Sequence, residues 1–193
     1  MVTKRGRVFS RWVVFPLVLA LVFSFAIQFS VQSAQAATLG ITQVQQANPK
    51  WCWAASAQMV GRWRTPTVSS RTQWDAAYYI HGSYDDLPAT ASQTASASTY
   101  VSLGYVGFSK TGVFSSGNIQ TMINSYNNPL IVGCLNYYDA GIAHMAVIHG
   151  VDGSGNLLIC DPATGTSTYL TYATLTSYTY NETVYTYSSF SED

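Results

Sequence analysis

The stretch HMAVIHGVDGSGNLLICD, residues 144–161, holds two apolar runs on either side of Asp152-Gly153. Asp-Gly between two such runs is the preferred dipeptide of a two-residue type I′ hairpin loop. With those two residues as the loop, Val151 faces Ser154 and His144 faces Asp161. Directly opposed residues of an antiparallel ladder project to the same side at adjacent-strand distance, so the pairing itself brings an imidazole to a carboxylate. A carboxylate beside a histidine fixes its tautomer and ring orientation and favours its protonated form, as a base serving a thiol requires.

On either side of this hairpin the pattern is also β. LIVGCLNYY (130–138) precedes it, and the Thr- and Tyr-rich pieces TSTYLTY (166–172) and TVYTYSS (183–189) follow. The N-terminal half reads as helices. In WCWAASAQMVGRWR (51–64), Trp51, Ala54, Ala55, Gln58 and Met59 recur at helical spacing after the Asn48-Pro49 turn, and Pro66 stops the run. This is a buried helix with Cys52 in its first turn. A second helix is expected over 72–80, with Ser70 as cap and His81-Gly82 at its end. A third is expected over the second half of 89–103, ending at Gly104, followed by a short strand at 105–109. A fourth opens at Ser116 or Gly117, with Ile119, Met122, Ile123 and Tyr126 on one face, and ends at Asn127-Asn128-Pro129. Helices first and strands second predict an α+β fold, an N-terminal helical layer packed on a C-terminal twisted antiparallel sheet.

Lys4, Arg5, Arg7 and Arg11 precede an apolar run from Trp12 to Ile27, and Ala34-Gln35-Ala36 supplies a small-x-small cleavage site. Residues 1–36 therefore read as a secretory signal peptide cut after Ala36, leaving 37–193 as one secreted domain with no stable membrane insertion. Five Lys and Arg and nine Asp and Glu remain beyond it, a net charge of −4. The remaining cations are too scattered for the basic stripe that a nucleic-acid partner demands, which excludes that class. Only 9% of residues are charged, against roughly a quarter in ordinary domains, while 48% are hydrophobic, so the chain is a folded domain and not a disordered one.

Cys52 supplies the nucleophile that a His144–Asp161 pair lacks, because the positive end of a helix dipole favours a negatively charged group in the first turn. Gln46, six residues upstream, can donate to a developing oxyanion together with the Cys52 backbone N–H. The segment from Gln46 through Trp51-Cys52-Trp53-Ala-Ala resembles the glutamine-to-cysteine segment of the papain-like cysteine peptidase clan. It is most similar to the small bacterial secreted members, among them leader-processing peptidases and exported effectors. Gly141-Ile-Ala-His144-Met-Ala-Val, a hairpin and Asp161-Pro162 resemble that clan's histidine strand and its following Asn or Asp. The resemblance runs from about Gln46 to Pro162. It implies the papain-like fold, a Cys52-His144-Asp161 triad with Gln46 as oxyanion donor, a protein or peptide substrate hydrolysed through a thioester, and no cofactor. Plant and lysosomal members place histidine ~130 or more residues after cysteine, whereas here 92 residues separate them and Cys-Gly-Ser-Cys-Trp is absent.

Other readings compete. A cysteine between two tryptophans is, taken alone, more often core than nucleophile. His81 and His149 are rival bases, but His81 sits at a helix end near Asp85 and Asp86, suiting a solvated role, and alternation turns His149 away from the side of His144. No HxxxH or CxxC spacing suggests a metal. Asn181-Glu182-Thr183 matches a glycosylation acceptor, and the Tyr-rich C-terminal third reads as an outer β layer in preference to a glycan-binding surface. A cysteine amidase or acyltransferase acting on cell-wall or side-chain amides, and a non-catalytic binding protein on the same scaffold, are the alternatives to a monomeric peptidase. Cys134 and Cys160 are expected to stay unbridged, because the His144 strand should lie between theirs. Strands two apart are about 9.5 Å distant, too far for a disulfide.

Overall fold

A computed structural model describes residues 36–111, 114–135, 143–178 and 180–187. Residues 1–35 of the expected signal peptide, Gly141-Ile142 before the histidine, and the strand ends expected at 136–138 and 188–189 fall outside the described residues. Five helices and seven strands are described, in the order β1 (Ala37–Thr38), α1 (Cys52–Arg64), α2 (Gln73–His81), α3 (Ala91–Val101), β2 (Val106–Thr111), α4 (Ser116–Asn124), β3 (Leu130–Leu135), β4 (Ala143–Val151), β5 (Leu157–Asp161), β6 (Thr166–Leu170), α5 (Tyr172–Ser177) and β7 (Tyr180–Tyr187). Helices precede most strands, as the residue pattern predicts, and every strand pair is antiparallel. The fold is α+β, as expected.

Helix α1 is buried from Cys52 through Gly61, nearly all round. Its small residues permit this, since a helix apolar on every face survives only inside a domain. It packs against α2, α3 and β4. At Gly61 a Cβ would come within 2.6 Å of Val101 Cγ1, so the α1–α3 approach requires glycine there. Trp51 and Trp53 are almost fully buried, each contributing about 2–3 kcal/mol by removal from water.

The other helix ends follow local side-chain chemistry. Helix α2 is capped by Thr72 and not by Ser70. The Asp75 carboxylate accepts from the Thr72 N–H and hydroxyl, and Gly82 closes the helix with φ of 68°. Helix α3 begins earlier than expected because Thr90-x-x-Gln93 forms a capping box. Helix α5 replaces the end of the expected strand 166–172: the Thr171 hydroxyl accepts from the Thr174 N–H, and Leu175 is buried. That cap outweighs the strand preference of its Tyr and Thr residues.

The sheet runs β2-β7-β3-β4-β5-β6, with β1 paired to the end of β4. Strand β7 thus lies inside the sheet, with Thr183 and Val184 buried, which corrects the outer-layer reading for that strand, whereas β6 is an exposed edge strand as expected. The glycosylation pattern at 181–183 therefore falls on a strand paired on both sides. One face of the sheet, with Ile131, Met145, Val147 and Cys160, packs on α1 and α3. The other, with Leu130, Val132, Cys134, Ile148 and Ile159, packs on Ile119 and Ile123 of α4 and on Leu175. With both faces covered, β4 is buried at every residue after Ala143, which accounts for its unbroken apolar run.

Two corrections concern the hairpin. Val151 pairs with Leu157 and not with Ser154. The Asp152 side chain accepts from the Ser154 and Asn156 N–H groups, and this cluster widens the loop to 152–156. At Gly150↔Leu158 the register would carry Asp161 to the side opposite His144. A β-bulge at His149 then shifts it by one residue, so that Ile148 pairs with Ile159 and Val147 with Cys160. His144 and Asp161 end on one side of the ladder as diagonal neighbours, not as a directly opposed pair. The residue directly opposite His144 is Cys134 of β3.

Cys134 and Cys160 lie on β3 and β5 with β4 between them, pack into different cores, and are free thiols, as the strand order predicts.

Candidate active site

Trp51 and Cys52 open α1 without a side-chain cap and with no acidic residue in the first turn. The positive end of the helix is left to the sulfur and to whatever binds beside it. Across a cleft of about 600 Å³ stand His144 and Met145 at the start of β4. Cys52, Gln46 and His144 all line this cleft, with Trp53, Pro88 and Ala89 forming an apolar wall.

His144 is 6% exposed and its Nε2 lies 2.7 Å from Asp161 Oδ1. A carboxylate only accepts, so Nε2 carries the proton, and the other ring nitrogen is the one available to sulfur. The same Asp161 oxygen accepts the Ala163 N–H at 2.9 Å, which holds the carboxylate in its own turn. That turn closes with the Gly165 N–H on the Asp161 carbonyl at a positive φ of 68°. Burial alone would lower the His144 pKa. Hydrogen bonds to Asp161 and Cys52, and attraction to their charges, overcome it and raise the value to about 9.

The sign of the pH dependence follows. Because the folded pKa stands above the ordinary 6.5, this group's contribution to stability is complete below about pH 6.5 and is lost as pH rises through about 9. Alkylation of Cys52 by iodoacetamide is expected to change on the alkaline side with an apparent pKa of about 9. In Asp161→Asn, which keeps the hydrogen-bond acceptor but removes the charge, that step should move to lower pH. An unmoved step would disprove the assignment of Asp161 as the charge partner.

Gln46 reaches the cleft on a strap, 37–49, that is fastened to the sheet. Its N–H donates to Pro162 O at 2.8 Å, beside Asp161, and the Ala47 N–H donates to Gln73 Oε1 at 2.8 Å. The side-chain amide is engaged: Nε2 donates to Asn48 O at 3.0 Å and Pro49 O at 2.6 Å, while Oε1 is buried without a partner. Both amide protons thus hold the turn that leads into α1, and an oxyanion would have to replace one of those carbonyls.

The rival histidines are placed elsewhere. His149, at the bulge, donates from Nδ1 to Leu39 O at 3.0 Å and accepts at Nε2 from the Ser167 hydroxyl at 2.8 Å. Burial holds its pKa below the ordinary value, so it is a neutral structural pin for the strap. The bulge that aligns the site, and His149's part in it, carry no signal in the hydrophobic pattern. His81 is half-buried with its ring edge-on to Trp53 at 5.5 Å, packed and not simply solvated as its position suggests. Cys134 opposes His144, but burial pushes its thiol up to about 12. Among the described residues no group of three or more His, Cys, Asp or Glu is placed to hold a metal. No described helix is long and apolar enough to cross a membrane.

A helix-borne cysteine facing a strand-borne histidine across a cleft defines a cysteine hydrolase of the papain-like kind. The family model described as papain-like cysteine protease AvrRpt2 matches residues 33–183, and the chain belongs to that family, a papain-like cysteine peptidase. No curated protein matches the chain.

Proposed function

We propose that this chain is a secreted, monomeric peptidase that hydrolyses peptide bonds through a Cys52-His144-Asp161 triad and a thioester intermediate. The hydrogen-bonded run from Cys52 through His144 to Asp161 carries this reading. The Cys52 sulfur attacks the scissile carbonyl. The developing oxyanion is met by the Cys52 N–H at the uncapped helix start, and by Gln46 once its amide exchanges Pro49 O for the oxyanion. Protonated His144 gives its proton to the departing amine, leaving the acyl group on sulfur. His144 then takes a proton from water, the resulting hydroxide attacks the thioester, and the acid and the thiol are released. Asp161 orients the ring throughout and stays ionised. No step draws on a cofactor.

Residues 1–36 would direct export and be removed, which leaves β1 at the new N-terminus. The test is to express the full chain in a secreting host and treat the medium, at neutral pH, with a peptidyl epoxide bearing an apolar side chain. A labelled protein that begins at Ala37 and carries one adduct, on Cys52, is expected. An unlabelled Cys52 in folded protein would refute the catalytic assignment, and a retained N-terminal segment would refute export with cleavage.

A further inference from the structure

The two tryptophans that flank Cys52 have a second property besides burial. Trp51 Nε1–H donates to Asp85 O at 3.1 Å, and Trp53 Nε1–H donates to Leu87 O at 3.0 Å. Between these acceptors, Asp86 Oδ1 receives the Lys50 backbone N–H at 2.8 Å. Three donors from the four residues 50–53 thus engage three consecutive residues, 85–87. The acceptors belong to the loop that leaves α2 at Gly82 and enters α3 at its cap, Thr90. The next residues along it, Pro88 and Ala89, are the cleft wall facing His144 and Met145. The loop's other contacts are local or to α2: the Ser83 hydroxyl donates to Asp85 Oδ2 at 2.9 Å, the Leu87 N–H donates to Asp85 O at 2.8 Å, and the Tyr84 ring packs on Trp74 and Tyr78. None of these ties it to the sheet.

We propose that Asp86 and the indoles of Trp51 and Trp53 form a staple that sets the distance between the Pro88–Ala89 wall and Cys52, making them positioning residues for substrate binding. Buried indole N–H groups left without acceptors would be costly, so the staple is self-enforcing once the rings are buried. Its effect falls on the fit of a bound chain beside the sulfur, since its three bonds join residues 50–53 to the segment that carries the cleft wall. The inference rests on the peptidase reading of the cleft, because it assigns the wall to substrate.

Asp86 is the discriminating position, since its half-buried carboxylate lies outside both core clusters and can be removed without opening a cavity in them. Inactivation of the protein purified from the secreting host by the same peptidyl epoxide, measured against epoxide concentration, separates half-saturation from maximal rate. Iodoacetamide alkylation serves as the reference for the thiol alone. Asp86→Ala should raise the half-saturating concentration about tenfold with little change in maximal rate, the size expected for losing a charge-assisted hydrogen bond. Asp86→Asn, which still offers an oxygen to the Lys50 N–H, should stay within about twofold of the parent. Trp53→Phe, which keeps an aromatic ring but no donor, should give about fivefold. Equal half-saturation in Asp86→Ala and the parent, an Asp86→Asn as defective as Asp86→Ala, or a loss confined to maximal rate would each overturn the staple. A parent that reacts with iodoacetamide but shows no saturation with the epoxide would instead defeat the peptidase reading, and the staple with it.

Discussion

Cys52→Ala is expected to remove peptide-bond hydrolysis by at least about 10⁴-fold while leaving a cooperative thermal transition. The size follows from the kind of role. With the sulfur gone no thioester can form, and the remaining histidine, helix end and cleft can only polarise a bound amide. Neither other cysteine can substitute, since Cys134 and Cys160 are 2% and 0% exposed and burial raises both thiols. Losing one sulfur from a site that already opens on the cleft should cost no more than about 1–2 kcal/mol of stability. Turnover on reduced, alkylated casein with a parallel melting curve measures both quantities. Turnover above about a hundredth of the parent, in protein purified free of contaminating peptidase, would place the nucleophile elsewhere.

His144→Ala should be nearly as severe, at least about 10⁴-fold, because one group serves both proton transfers. Asp161→Ala should fall about 100-fold short of that loss, since an orienting carboxylate improves the base without moving the proton itself. The geometry sharpens the ranking. Asp161 is held by the Ala163 N–H as well as by His144, and His144 keeps its contact to Cys52 when the carboxylate is gone. Single-turnover measurements on the three variants give the order directly. Loss in Asp161→Ala equal to that in Cys52→Ala would mean that the carboxylate does more than orient, and near-parent activity in His144→Ala would refute the base. The alkaline step near pH 9 should vanish in His144→Ala even where alkylation of Cys52 persists, which ties that step to the imidazole.

These expectations rest on residues that the sequence makes visible, but by a route that the structure amends. The DG dipeptide identifies the hairpin and puts His144 and Asp161 on neighbouring strands, yet the loop is longer than two residues. The Asp152 carboxylate gathers three donors across 152–156 and displaces the turn type that Asp-Gly alone prefers. An extra residue at His149 then offsets the displaced register. The two departures compensate in side, though not in exact pairing, so the correct neighbours follow from an incorrect register.

What the sequence by itself determined is what is written in short-range chemistry: the separation of helices from most strands, the helix that begins at Cys52, and the order β3-β4-β5 that keeps Cys134 from Cys160. Such features depend on a few adjacent side chains and on the period of the apolar pattern. Tertiary structure alone decided the insertion of β7 between β2 and β3, the second helical layer, the bulge at His149 clamped by Leu39 and Ser167, and the indole bonds that carry the cleft wall. Each of these joins residues far apart in the chain, and the energies involved, a buried N–H finding an acceptor or a strand filling a gap, exist only once the partner is in place.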